Sequence, residues 1–240
     1  MLSAALAVAC TSRPRSVLPP LPVPTPATST PVPVPASAAV AAVVAELGPQ
    51  VRTYWEPYLR AVGLSYPPPE LALLGFKRER RLEVWGRADG PWARIIVFPI
   101  LAASGGDGPK LRWGDLQVPE GMYRIVAFNP ESRFHLSMMV DYPNADDLVQ
   151  ATIDGRTDLG GDIFIHGGAK SIGCLAIGDQ AIENLFVLVA EVGMPRVQVI
   201  LAPRDPRGGT GLVPMSELRF TADLYRRIEA SLASFPVPCP

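Results

Sequence analysis

The sequence predicts a mainly β domain, sandwich-like or barrel-like, flanked by helices at both ends and with one helix following Cys174. Three observations carry that expectation. Short apolar runs recur between residues 71 and 166, separated by clusters rich in Gly, Pro, Asp and Asn, which is the pattern of short strands joined by turns. An alanine-rich stretch with helical spacing precedes the runs, and a second helical stretch closes the chain. The 240 residues, 48% of them hydrophobic, supply one sizeable core with attachments.

The elements follow in order. Residues 1–10, MLSAALAVAC, are a short apolar stretch ending in cysteine. They resemble the close of a bacterial lipoprotein signal, with Ala9 as the small residue before the cut and Cys10 as the lipid carrier. Ala7 stands where such signals usually hold leucine, and no Lys or Arg precedes the stretch. A start codon further upstream would supply the missing charge. The expectation is an exported chain of the periplasm or cell envelope, either lipid-anchored through Cys10 or carried by an ordinary signal peptide. Residues 11–35 form a linker: nine of the 22 residues from Pro14 to Pro35 are proline, which removes backbone donors and prevents a packed core. In an extended polyproline form it reaches roughly 60–70 Å.

Residues 36–63 read as a helical lead-in of two helices, the first stopped at Gly48–Pro49 and the second over 51–62. Residues 64–203 hold the main domain. Its expected strands are 71–76, 82–85, 93–101, 121–128, 134–140, 162–166 and 195–201. The helix after Cys174 is expected to be capped by Asp179, with Ile182, Leu185, Phe186 and Val189 on its apolar face. Residues 204–240 form a C-terminal extension with a helix over 216–234.

Composition excludes several functions. The net charge of −1 argues against a nucleic-acid partner, which selects a basic face. The basic run from Lys77 to Arg81 is either a solvated turn between strands or an attraction site for an anionic substrate. No uncharged apolar run reaches the roughly 18 residues of a membrane span, which leaves a lipid anchor as the membrane contact. Three cysteines are too few for a disulfide framework, and pairing Cys239 with Cys174 would block the thiol. Two histidines and no Cys-x-x-Cys pair argue against zinc, and AKS lacks the glycine that a phosphate loop needs before its lysine. No metal and no cofactor is expected.

Chemistry concentrates in DIFIHGGAKSIGC, residues 162–174. A strand delivers His166 at its end, Gly167 and Gly168 follow, and Gly173 precedes Cys174. Glycines allow close approach of backbone to substrate. A thiol with an ordinary pKa of about 8.5 holds little thiolate at neutral pH, and a neighbouring imidazole acting as base corrects that. The motif offers no carboxylate to orient the histidine, so the expected orienter is a backbone carbonyl at or just after His166. N–H groups around Gly173 and Cys174 are candidates for binding a developing oxyanion, and the following helix adds positive potential. In a papain-like protease the histidine follows the cysteine, whereas here His166 precedes Cys174. Inert packing of a lone cysteine is the bland alternative.

HGGAKSIGC resembles the active-site segment of the YkuD-type L,D-transpeptidase catalytic domain, in its YafK-like branch. GPKLRWGDLQVPEGMYRI (108–125), NPESRFHLSM (129–138), DYPNADD (141–147) and IGDQAIENLFVLV (177–189) are similar to that branch too, so the resemblance covers roughly 64–203. It implies a YkuD-type core and cysteine-dependent acyl transfer on peptidoglycan stem peptides. The attacked bond would be an amide at the L-centre of a diamino acid in third position. Position by position, the resemblance makes Cys174 the nucleophile, His166 the general base and Gly167 the source of an orienting carbonyl. Ser171, Gly173 and the Cys174 backbone would shape the oxyanion pocket. Many members of the wider family carry Ser-His-Gly-Cys followed by Arg; here Ile172 replaces the second histidine and Leu175 the arginine. The YafK-like branch shows the same absence and is associated in part with hydrolysis, releasing a wall-linked protein from the stem peptide. Transpeptidation and hydrolysis therefore both stand, beside a third function from another class, a non-catalytic wall-binding module. Among the other matching positions, Lys110 and Arg112 either meet stem-peptide carboxylates or are surface charge. His135 lines the groove or is structural, and Tyr142 and Asn144 sit in a loop with the same two options.

Overall fold

The computed structural model describes residues 37–237, so the expectations on Cys10, the 11–35 linker and Cys239 lie outside the described residues. The strands are β1 (Glu70–Phe76), β2 (Arg81–Arg87), β3 (Ala93–Pro99), β4 (Gly121–Ser132), β5 (His135–Val140), β6 (Phe164–His166), β7 (Leu175–Ala176) and β8 (Val197–Ala202). The α-helices are α1 (Ala38–Ala61), α2 (Ala145–Ile153), α3 (Asp179–Val192) and α4 (Thr221–Leu232). The strands join one mixed sheet in the order β3-β2-β1-β8-β4-β5-β6-β7. The Leu101 N–H donates to the Ala176 carbonyl at 2.8 Å, and Ala102 bridges to Ala176. The free edge of β7 therefore meets the chain leaving β3, and the sheet curls toward closure with that edge satisfied. The expected class is observed: a mainly β, barrel-like core with helices at both ends and α3 after Cys174.

β1 reads ELALLGF, without polar alternation, because both its faces are covered. Leu71 and Leu73 face a cluster built with Trp55 and Leu59 of α1 and Ile182, Leu185, Phe186 and Val189 of α3. Ala72, Leu74 and Phe76 face the opposite cluster, built with Leu224, Tyr225, Ile228 and Leu232 of α4. The lead-in and the C-terminal extension are thus layers of the same core, and the described residues fall in one compact unit. Trp55 is fully buried, and its indole N–H donates to the Asn184 carbonyl on α3 at 3.0 Å.

Several expectations are corrected. α1 runs unbroken through Gly48–Pro49 and Pro57. Both prolines face solvent, where water can satisfy the carbonyls that lose a donor, while the buried stripe Val40, Val51, Trp55 and Leu59 carries the helix past them. Asp179 is not a cap: Gly178 holds the N-cap position, and Asp179 is the first helical residue. α2 begins where only a loop was expected. Asn144 caps it by accepting the Asp146 and Asp147 N–H groups, and the Asp147 carboxylate accepts the Asn144 N–H in return. Only Ala151 of α2 is buried, so apolar periodicity gave no signal there. The 77–81 run does turn between β1 and β2 with Arg78, Glu79 and Arg80 exposed, but Lys77 and Arg81 at its ends are drawn into ion pairs. Lys77 pairs with fully buried Glu120 at 2.8 Å, and Arg81 pairs with fully buried Glu83 at 3.0 Å.

Two outcomes follow from this packing. Trp55→Ala removes a fully buried indole and its hydrogen bond, so unfolding by denaturant should show a loss of about 4 kcal/mol. Burial pushes the Asp147 carboxyl up to about 6. A carboxyl raised in the folded state favours folding when protonated, and that contribution disappears as pH rises through the folded value. The melting temperature of wild type relative to Asp147→Asn should therefore rise as pH falls from about 7 to about 4.

Candidate active site

His166 ends β6, paired to Ser137 of β5 on one side and to Ala176 of β7 on the other. It is 2% exposed. Its Nδ1 lies 2.6 Å from the Gly167 carbonyl oxygen. A carbonyl only accepts, so Nδ1 carries the proton and Nε2 keeps a free lone pair, the form a general base needs. The Gly167 N–H donates to the Leu136 carbonyl at 3.1 Å, which fixes the turn. No other residue fits here: a Cβ on Gly167 would stand 2.5 Å from the Phe134 carbonyl oxygen and 2.6 Å from Asp179 Oδ1.

Cys174 follows Gly173, whose φ of +117° suits glycine alone, and leads directly into β7. The β6–β7 register sets Ile165 opposite Leu175 and His166 opposite Ala176. Cys174 lies in the bend just before β7, so the segment carrying the thiol runs beside the strand that carries His166. The thiol points to the Asp162 carbonyl, 3.6 Å away, alongside the segment entering β6. Ser171 clips the nucleophile's backbone: its hydroxyl accepts the Cys174 N–H at 2.9 Å and donates to the Cys174 carbonyl at 2.6 Å. This corrects the expectation that the Cys174 N–H serves an oxyanion, because Ser171 takes it up. The Gly173 N–H donates to no group among the described residues.

The electrostatics favour a neutral pair at rest. Burial pushes the Cys174 thiol up; the Phe164 N–H opposes this, the charge of Asp162 adds to it, and the charge of Lys110 opposes it. Burial also holds His166 below its ordinary value, against the Gly167 hydrogen bond. Both shifts favour the uncharged forms, a thiol and an imidazole.

The remaining expected residues fall in different places. Lys110 is buried, and its ammonium donates to Asp115 Oδ1 at 2.7 Å and to the Arg112 carbonyl at 2.8 Å, so it is neither surface charge nor free for a ligand. Asp115 also accepts the Leu111, Arg112 and Gln117 N–H groups and organises the 110–117 loop. That loop walls the site: a Cβ on Gly173 would lie 3.5 Å from the Gln117 carbonyl oxygen. Arg112 is exposed, and its side chain makes no ion pair among the described residues. Tyr142 is buried, its hydroxyl aimed at the Lys110 and Leu159 carbonyls, and Asn144 is the α2 cap. His135 pairs with Glu183 at 2.7 Å. Sequence reasoning missed Asp115, Phe134 and Glu183; nothing in their local spacing marks them. Among the described residues, no three His, Cys, Asp or Glu side chains gather to hold a metal ion.

No family model matches the chain. Over 133 residues it is 34% identical to the curated "Putative L,D-transpeptidase YafK" of Escherichia coli K12, covering 53% of this chain and 52% of that protein. The same values hold for its counterpart in Escherichia coli O157:H7, so the chain spans about half the length of the curated relatives it matches. The likeness to L,D-transpeptidases of the YafK-like branch, first visible in the motifs, is borne out by these relatives. Among solved structures, the helical cell shape determining protein Pgp2 from Campylobacter jejuni is 22% identical with a TM-score of 0.48, covering 76% of this chain and 63% of Pgp2. Mycobacterium tuberculosis L,D-transpeptidase 1 is 12% identical with a TM-score of 0.33, covering 55% of this chain and 61% of that one.

The thiol's environment makes a direct expectation. Alkylation of Cys174 by iodoacetamide, followed by intact mass, should titrate with a midpoint above the ordinary thiol value of about 8.5. A midpoint below about 7 would mean a preformed thiolate–imidazolium pair and would contradict the geometry.

Proposed function

We propose that the chain is a cysteine acyltransferase of the L,D-transpeptidase type, acting on peptidoglycan stem peptides in the cell envelope. The observation that carries this is the 2.6 Å bond from His166 Nδ1 to the Gly167 carbonyl, which leaves Nε2 free to act as a base, on the strand paired with the one that Cys174 leads into. In the first half-reaction the Cys174 sulfur attacks the amide carbonyl at the L-centre of the third-position diamino acid, and its proton passes to His166 Nε2. The tetrahedral oxyanion is within the province of the free Gly173 N–H. Collapse breaks the C–N bond, His166 returns the proton to the departing amine, and a thioester remains on Cys174. An incoming amine or water then gives up a proton to His166 and displaces the thiol.

Water as the acceptor is the second reading, giving an amidase that releases an amine or a wall-linked protein. Ile172 favours it: the position that holds a second imidazole in the wider family is here an isoleucine 76% exposed. With no second base there, His166 alone must deprotonate the acceptor, and water has one proton to lose where an amine held as ammonium near neutral pH has two.

The test is mass spectrometry of defined muropeptides incubated with purified protein, with and without an amine acceptor. Wild type should convert tetrapeptide, cross-linked or protein-linked substrates, and Cys174→Ala and His166→Ala should lose at least about 100-fold of that rate. A product equal to the substrate plus the added amine minus the departing amine marks transfer; the substrate plus water minus the departing amine marks hydrolysis. Unchanged spectra together with equal sedimentation of wild type and Cys174→Ala on sacculi would instead identify a non-catalytic wall-binding module.

A further inference from the structure

The tip of the β4–β5 hairpin lies against the imidazole without belonging to the thiol–imidazole pair. Ser132 pairs with His135 across the turn, and the Ser132 hydroxyl accepts the Phe134 N–H at 3.2 Å. His135 takes φ +73°, a left-handed backbone that a residue with a Cβ adopts at a cost. A contact 48 residues away offsets it: His135 Nε2 lies 2.7 Å from Glu183 Oε1 on α3. Glu183 stands one helical turn after Asp179, so the two carboxylates share a helix face. Asp179 Oδ1 accepts the Gly168 N–H at 2.7 Å. One face of α3 therefore grips both the hairpin tip, through His135, and the glycine turn after the base, through Gly168. Between these two grips the Phe134 ring lies over the His166 imidazole, centroids 4.6 Å apart and planes tilted by 31°. Phe134 is 42% exposed, so core burial does not account for a large apolar ring in this place.

We propose that Phe134 is a positioning residue for His166, and that the His135–Glu183 pair anchored on α3 holds it there. The proposal rests on Cys174 and His166 being nucleophile and base. The Gly167 carbonyl fixes one nitrogen of the imidazole, which still leaves the ring free to swing about that hydrogen bond. A flat aromatic face on one side removes the swing, holds Nε2 in one direction and shields that side of the ring from water. His135 then acts through Phe134 and touches no substrate.

Iodoacetamide labelling of Cys174 across a pH series tests this without needing the natural substrate, and muropeptide turnover split into kcat and KM tests it with one. The variants, in the full chain and checked for folding by thermal melting, are Phe134→Leu, His135→Ala, Glu183→Ala, Glu183→Gln and the double His135→Ala/Glu183→Ala. Phe134→Leu and each alanine variant should slow labelling at neutral pH and lower kcat by about tenfold, with KM within about twofold, because misplacement of a reacting group acts on the chemical step. Glu183→Gln keeps an oxygen acceptor and should return to within about twofold of wild type. The double variant should be no slower than the worse single one, since the two side chains act as one unit. A raised KM with unchanged kcat in His135→Ala would make His135 a substrate contact and overturn the proposal. So would wild-type labelling profiles in Phe134→Leu and Glu183→Ala. A wild-type labelling rate in His166→Ala would remove the underlying pair instead, an outcome visible in that variant alone.

Discussion

The hydrogen bond between His166 Nδ1 and the Gly167 carbonyl decides what the site can do. It sets the tautomer, frees Nε2 and ties one nitrogen of the ring to the backbone. That arrangement demands a sharp turn directly after the base, and the turn is crowded. The Phe134 carbonyl and the Asp179 carboxylate both press on Gly167, at distances a side chain would violate. The hairpin between β4 and β5, the start of α3 and the end of β6 are thereby brought into one tight crossing. Because β5, β6 and β7 are adjacent in the sheet, that crossing also fixes the position of Cys174.

Buried charge holds the surrounding frame. Lys77 donates to fully buried Glu120 and to the Gly108 and Val118 carbonyls, so one ammonium fastens both ends of the 108–118 loop that walls Gly173. The Tyr225 hydroxyl of α4 completes Glu120 at 2.8 Å. Glu83 is likewise fully buried and shared between Arg81, Arg207 and the Trp85 indole, which binds the segment before α4 to the sheet. Each of these charges is paired and hydrogen-bonded, the condition under which burial is tolerated, and removing one partner would strand the other. The C-terminal helix α4 is thus joined to the loop beside Gly173.

The fold class and most strands were legible because apolar runs and turn clusters are local signals. β1, β8 and the buried face of α3 follow directly from them. The break expected at Gly48–Pro49 failed because proline's local penalty is smaller than the packing of Trp55 and its neighbours, which no local window contains. α2 was missed for the opposite reason: it is held by the reciprocal cap of Asn144 and Asp147 and buries almost nothing.

The sequence by itself determined which groups are candidates for chemistry. A histidine ending a strand, two glycines and a glycine–cysteine step mark a thiol and an imidazole, since chemistry and backbone freedom are properties of residue type and short spacing. Only the tertiary structure decided how those groups are held. Ser171 takes the Cys174 N–H, Lys110 turns inward to Asp115, and Phe134 and the His135–Glu183 pair close over the base. The first two contacts are local and turn on loop conformation, while Phe134 and the His135–Glu183 pair depend on sheet pairing and on the packing of α3, which joins residues 48 apart.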